Sequence, residues 1–467
     1  MKSCCIRGRG LGRFVSSSLP RVLVVGSGWG GNKVARKLDK TKFLVRVVSP
    51  SNHFLFTPML PSAAVGTLEF RAIQEPVRTI PGVEYFQAKA VAIENGVVRC
   101  RDVFSGAGFD LAYDFLIVAA GCKTNTFGTP GVDDERPDVC FLKNLYHARK
   151  IRNRVIECFE RASNPATSEE EREKLVSFVV VGGGATSCEF ASELSDFVKE
   201  DVARWYPRLA TRVRISLIEA GPKILSSFDS AMAGYYSNFL KRRHVDVRTG
   251  VSIVEIDDNT PRAFLNNGDS IDFGLLVWSA GLAPVDVVEK QPWRKDERGR
   301  VLVDDYLRVL DEDRIFAIGD CAVQENRPYL PPTASVAEQH AAYLGACFNS
   351  SYYAAAADGS GPLPVPKPVA PAAMPTVYLE FLDALLFSKS PEFRYVERGS
   401  MASAGFGRGI LDLSKTDLPS GPRISGFAAF VAWRGAYLSK QLSLANMILV
   451  PMYYVKTFLF GRDISRF

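Results

Sequence analysis

The chain alternates short, continuous apolar runs with stretches of helical periodicity, and it does so twice in the same order. Residues 21–49 read as an apolar strand, a glycine turn, an amphipathic helix and a second apolar strand, "RVLVVGSGWGGNKVARKL" and then "FLVRVVSP". Apolar runs this short, bounded by glycine, are the pattern of strands buried on both faces. Another such strand, "DFLIVAAG", ends in glycine at 114–121. The order restarts at Phe178 with "FVVVGGGATSCE", continues with "VRISLIEA" at 213–220, and closes with "DFGLLVWSAG" at 272–281, an echo of the earlier closing strand.

This internal repeat predicts an α/β fold of two Rossmann-like, doubly wound domains, the second inserted into the first. The expected layout is a leader at 1–20, the first nucleotide domain at 21–174 and again at 286–420, the second at 175–285, and a terminal segment at 421–467. Residues 164–174, "NPATSEEEREK", read as an exposed excursion, and the Ala- and Pro-rich stretch 351–375 as an exposed insertion without chemistry.

The glycine turns carry the first chemistry. Gly26, Gly28 and Gly31, with Gly30 inside the same turn, fit GxGxxG between a strand and a helix. Glycine there permits the tight turn and lets backbone amides approach a pyrophosphate at the helix N-terminus. In the second turn Gly182 and Gly184 flank Gly183, and Ser187 takes the third position, where a small residue suffices for close packing. The strand after each turn usually ends in an acid that holds a ribose. The second does so with Glu219, which repels a 2′-phosphate and favours NADH over NADPH; the first ends in Ser49, a weaker partner. Gly121 and Gly281 end the two closing strands, and Asp320 in "RIFAIGDCA" is placed to reach flavin ribityl hydroxyls. Two dinucleotide turns in one chain point to FAD with NADH, since a flavin accepts a hydride and returns electrons singly or in pairs.

Charge and cysteines narrow the class. The net charge of +6 comes from the ends, because residues 1–21 and 421–467 each carry +5, leaving −4 between them. That argues against a nucleic-acid face on the folded body. The acid-free, Arg- and Ser-rich start "MKSCCIRGRGLGRFVSSSLP" has the composition of a mitochondrial transit peptide. Nine scattered cysteines form neither a CxxC pair nor a metal spacing, so no metal is expected.

Three long motifs, "SPSNHFLFTPMLPSAAVGTLEFRAIQEPVR" (49–78), "VVVGGGATSCEFASEL" (179–194) and "PPTASVAEQHAAYL" (331–344), resemble the type II, or alternative, NADH dehydrogenases of the two-dinucleotide flavoproteins. So does the tail "FAAFVAWRGAYLSKQLSLANMILV…VKTFLFGRDISR". The resemblance implies a single-subunit, non-pumping NADH:ubiquinone oxidoreductase with non-covalent FAD, attached to one face of a membrane. It implies that Glu189 is the catalytic carboxylate near flavin and nicotinamide, orienting the carboxamide or handling a proton. Its alternative is helix-dipole complementarity in the first turn. The resemblance also implies a quinone site around Ser335 and Gln339, with Ser335 standing where many members carry glutamine. The same resemblance implies that Trp433 and Tyr437 wall its entry; as isolated aromatics they read as membrane anchors. A homodimer through the C-terminal region is implied in the same way.

In the tail, Phe430, Trp433, Tyr437, Leu444 and Ile448 keep helical spacing beside Arg434 and Lys440. The longest apolar run, Leu442 to Val455, falls short of the roughly 20 residues of a spanning helix, so an interfacial, monotopic segment is expected. The expected location is the mitochondrial inner membrane, matrix face. Two rivals share the nucleotide folds: a sulfide:quinone oxidoreductase, which needs cysteines over the flavin, and an NADH-sensing scaffold of the apoptosis-inducing-factor kind. A disulfide reductase is excluded by the absence of a cysteine pair after the first turn.

Overall fold

The structure is a computed structural model that describes residues 19–350, 392–405, 407–416 and 421–466. The expected leader, apart from Leu19 and Pro20, and the insertion 351–375 lie outside the described residues.

The elements that position the sites begin with β1 (Arg21–Val25), α1 (Trp29–Lys37), β2 (Leu44–Ser49), β3 (Val83–Glu94), β4 (Val97–Asp102), β5 (Gly108–Ala112) and β6 (Phe115–Val118). There follow β7 (Val139–Phe141), α2 (Leu145–Ser163), α3 (Glu169–Leu175), β8 (Ser177–Val181), α4 (Ala185–Phe197) and β9 (Arg214–Glu219). Next are α5 (Ser230–Arg242), β10 (Val245–Thr249), β11 (Leu275–Trp278), β12 (Ile315–Ala317) and α6 (Ala334–Asn349). The C-terminal part adds β13 (Ser400–Ser403), β14 (Gly409–Asp412), β15 (Arg423–Gly426), α7 (Phe427–Ser439) and α8 (Leu444–Phe460).

They form two compact units. In the first, comprising residues 19–52, 77–120, 286–350 and 392–394, a seven-stranded sheet runs β12-β6-β1-β2-β3-β4-β5. Its pairs from β12 to β3 are parallel, and β3-β4-β5 is an antiparallel meander. β1 and β6 are buried on both faces, as their unbroken apolar runs require. Phe348 of α6 meets the rings of Phe43, Phe115 and Phe316 at 5.2–5.7 Å, which holds that helix on the sheet.

The second unit comprises residues 53–76, 121–285, 395–405, 407–416 and 421–466, around a parallel sheet ordered β7-β11-β8-β9-β10. Residues 53–76 and 121–174 thus group with the second glycine turn, whereas the expected layout gave them to the first nucleotide domain. The reason is α2: its Phe159 packs on Phe178 of β8 at 5.7 Å, and Arg154 Nε donates to the Gly274 carbonyl at 2.9 Å. The segment read as an excursion contains the helix α3, capped by Ser168 and opened by three glutamates that complement its dipole.

The tail is likewise corrected. The single stripe from Phe430 to Ile448 is divided between two helices, because α7 ends at Ser439, with Lys440 as its C-cap, and Ser443 caps a new start at α8. The phase shifts across the break, so Phe430 and Trp433 are buried while Leu444 and Ile448 face outward. Trp433, 2% exposed, is therefore a core residue and not a membrane anchor. α8 also continues through Pro451 and Lys456 to Phe460, beyond the run read from sequence. No described helix is long and apolar enough to cross a membrane.

Candidate active site

The two glycine turns are built alike. Gly26 and Gly182 adopt φ of +107° and +110°, which only glycine takes without strain, and the amides of both bond the last turn of the neighbouring strand, to Val48 and Ile218 carbonyls at 2.8 Å. Gly28 and Gly184 then sit at the N-caps of α1 and α4 with extended backbone. Neither helix has a side-chain cap or an acid in its first turn, whereas α2, α5, α6 and α8 are each capped by a side chain. Neither helix start is therefore closed by a side chain of its own N-cap. A Cβ built on Gly28 or Gly184 would meet nothing in the chain within 4 Å, so open space lies over both helix starts. Uncapped amides beneath open space fit the pyrophosphates of two dinucleotides.

What secures each turn differs. At the first, buried Ser49 shares a hydrogen bond with Ser27 at 2.9 Å, and Ser27 donates to the Ser51 carbonyl at 3.1 Å. At the second, half-buried Glu219 accepts from the Gly183 amide and, at 2.6 Å, from the Gly221 amide. A carboxylate offers about four acceptor positions, so two remain for ribose hydroxyls. A Cβ on Gly183 would come within 2.7 Å of Glu219, which explains the glycine there. The third positions also diverge. A Cβ on Gly31 would strike the Gly26 carbonyl at 2.0 Å, whereas Ser187 uses its side chain to bond Ser279 at the end of β11. Gly30 has a packing role, since a Cβ there would press on Ile318 at 3.1 Å.

Gly121 and Gly281 take left-handed φ of +67° and +72° after their closing strands, and Gly319 takes +72° just before Asp320. Asp320 is half-buried in a tight turn between β12 and the strand that follows, where the Gly319 amide donates to His340 Nδ1 at 3.1 Å. Burial pushes the His340 imidazole down to about 3, so it stays neutral and accepts that bond. Within the same unit the structure brings Ser335 and Gln339 together: one turn apart on α6, the Gln339 amide donates to the Ser335 hydroxyl at 3.3 Å.

In the second unit, Glu189 is the fifth residue of α4, past the first turn, so complementing the helix dipole does not account for it. It is buried, and burial raises its carboxyl to about 8; the Ser403 amide, donating at 2.8 Å, opposes this, Glu193 adds to it, and the Trp433 indole opposes it slightly without closing a hydrogen bond of ordinary geometry. At neutral pH Glu189 therefore carries a proton. Trp433 and Tyr437 meet edge to face at 4.8 Å, and Tyr437 meets Phe56 at 5.7 Å. Sequence reasoning missed Ser403, His340 and Glu193. Only Glu193 had a signal, its place four residues after Glu189 on one helix face. None of the seven cysteines among the described residues is in a disulfide.

This is the build of a two-dinucleotide oxidoreductase. The family model for pyridine nucleotide-disulphide oxidoreductases matches residues 20–341, and that for the NDH2 C-terminal domain matches residues 398–463. A probable NADH dehydrogenase of Dictyostelium discoideum is 41% identical over 474 aligned residues, covering 100% of this chain and 95% of that protein. The mitochondrial internal alternative NAD(P)H-ubiquinone oxidoreductase A1 of Arabidopsis thaliana is 35% identical, covering 98% and 88%. The NDH2 structure of Plasmodium falciparum in complex with NADH has the same fold, with a TM-score of 0.81 at 23% identity over 96% of this chain and 99% of that one. The chain belongs to the pyridine nucleotide-disulphide oxidoreductases and, within them, to the type II NADH dehydrogenases.

Proposed function

We propose that this chain is a single-subunit, non-pumping NADH:ubiquinone oxidoreductase with non-covalent FAD, working at the mitochondrial inner membrane from the matrix face. The observation that carries this reading is the pair of uncapped glycine turns, of which only the second ends on a carboxylate. The first turn, with Gly26, Gly28, Gly30, Gly31, Ser49, Gly121 and Asp320, would hold FAD. The second, with Gly182, Gly183, Gly184, Glu219 and Gly281, would hold NADH. A bound flavin supplies the exchange between hydride transfer and electron release. The protein's own contributions are the helix-start amides on the pyrophosphates, the Glu219 carboxylate on the ribose, and the Glu189 proton. Ser335 and Gln339 form a hydroxyl–amide pair suited to a quinone carbonyl, and Trp433 with Tyr437 supplies an aromatic wall.

Membrane attachment rests on α8. Asn446, Val450 and Tyr454 lie on its buried face, with Asn446 Nδ2 donating to Glu75 at 2.9 Å and Thr457 to the Thr67 carbonyl at 2.9 Å. Leu444, Ile448, Met452, Val455 and Leu459 form the opposite, exposed stripe. A helix pinned on one side and apolar on the other is suited to lie in a lipid interface. A homodimer through this C-terminal region is part of the same reading.

The relatives' names support this function over the sulfide:quinone oxidoreductase and the NADH-sensing scaffold. Anaerobic NADH should bleach the flavin of the purified protein, and a short-chain ubiquinone should restore it, with NADPH much slower. Bleaching without restoration by quinone would favour the scaffold.

A further inference from the structure

One turn along α4 from Glu189, within the second unit, lies a charged cavity of about 320 Å³. Buried Glu193, Tyr454 and Arg462 line it together with Glu200 and Arg204, which are exposed. Glu193 stands one helical turn from Glu189. Its carboxylate accepts from Ser62 at 2.9 Å and Thr67 at 2.6 Å, and lies 3.8 Å from the Arg462 guanidinium. Arg462 in turn pairs with Asp201 at 2.7 Å and with Glu200 at 2.8 Å. Glu189 itself does not line the cavity. A polar space of this volume has room for several waters, each occupying about 30 Å³ in the liquid.

The overall reaction, NADH + H⁺ + ubiquinone → NAD⁺ + ubiquinol, moves two electrons and one proton as hydride and takes one further proton from water. Glu189 can release a proton, and it is buried, with 7% of its surface exposed. We propose, resting on the reading of Glu189 given above, that Glu193 and the cavity behind it return this proton to Glu189, making Glu193 a relay residue for quinone reduction. The route runs from cavity water to the Glu193 carboxylate and across one turn of α4, through a bridging water, to Glu189. Arg462 and the Ser62 and Thr67 hydroxyls hold the Glu193 carboxylate in the cavity wall.

The other groups facing Glu189 do not compete for this proton. Tyr236 from α5, Tyr454 from α8 and Cys188 on α4 itself all have their ionisation pushed upward by burial, Tyr454 to about 12. From α7, Trp433 does not titrate, and Arg434, which lines the cavity and faces Glu193 and Tyr454, has its ionisation lowered by burial; the Ser403 amide from β13 does not titrate.

The test uses the full-length enzyme in detergent, following NADH bleaching and quinone-driven reoxidation separately between pH 6 and 9. Glu193→Gln should leave bleaching within twofold of native and slow reoxidation about 10-fold or more, with the deficit growing as the pH rises. Millimolar formate, a weak acid small enough for the cavity, should restore reoxidation at least in part. Glu193→Asp, which keeps the carboxylate, should lose less. Reoxidation within twofold of native in E193Q overturns the proposal. So does an equal loss in both half-reactions that formate does not relieve, since that is the signature of a structural role. Glu189→Gln is run alongside: if it reoxidises at the native rate, the reading of Glu189 fails, and the relay with it.

Discussion

The two glycine turns of this protein share a backbone and differ in what secures them. Both begin with a glycine near φ +110°, and both leave an uncapped helix start under open space. The first is held by neutral hydroxyls, Ser49 on Ser27, and by a glycine contact so close that Gly31 admits no side chain. The second is held by the Glu219 carboxylate on backbone amides and by the Ser187–Ser279 pair. The shared features are those that any pyrophosphate demands. On the proposed assignment, the differing ones would decide which dinucleotide is taken and whether it stays. A turn without charge beside the ribose places no penalty on a permanently held cofactor, whereas a carboxylate selects against a 2′-phosphate in a substrate that must come and go. The helices that follow diverge too: counted from the first glycine, Glu189 occupies the place of Lys33 in the first turn.

The largest expected effect separates backbone from ligand within one turn. In Gly26→Ala the new Cβ sits 2.2 Å from the Ala119 carbonyl at a left-handed φ, so we expect a loss of about 4 kcal/mol or more and a poorly folded, flavin-free protein. Gly28→Ala meets no atom of the chain, so its melting temperature should stay close to native while flavin content falls. Thermal melts and flavin absorbance on the purified pair check this; a flavin-replete G28A would break the assignment of the first turn.

Next is Glu189→Gln, which probes the acid that the first helix lacks. The native carboxyl is raised by burial from about 4.5 to about 8, so between those values the folded chain keeps a proton that the unfolded chain has released. Native stability therefore declines as the pH rises from about 4.5 to about 8, and a glutamine carries no such cost. E189Q should gain on the native protein over this window by on the order of 3 kcal/mol, read from denaturant melts at pH 5 and pH 9. In the same window native quinone reduction should fall as the pH passes about 8 and Glu189 gives up its proton.

A smaller effect is expected for Glu219→Gln. The preference for NADH over NADPH should fall about 10-fold, or about 1.4 kcal/mol, in steady-state kinetics with both nucleotides. An unchanged ratio would leave Glu219 as a clamp on the Gly183 and Gly221 amides and nothing more. Ser49→Ala should cost least, about 1 kcal/mol and a fewfold weaker flavin retention, seen in dialysis against chaotropic salt.

Much of this was legible in the chain because it is local. Both turns, their strands, and Glu219 at a strand end follow from spacing over some forty residues. The tail shows where such reading stops. Helical spacing continued from Phe430 to Ile448, but a serine cap at 443 reset the phase, and Trp433 is buried beside Glu189, far back in the chain. Residues 121–174 carry no glycine turn of their own, so nothing in them indicated that α2 would pack on the second sheet.

By itself, then, the sequence determined the two nucleotide folds, the asymmetry between Ser49 and Glu219, and the apolar character of the last helices, since each rests on backbone preferences and short-range periodicity. Only the tertiary structure decided that Glu189 holds a proton, that Ser403 donates to it, and that a charged cavity lies one helical turn away. Those properties come from desolvation and from contacts across more than two hundred residues of chain between positions 189 and 403, which no local pattern records.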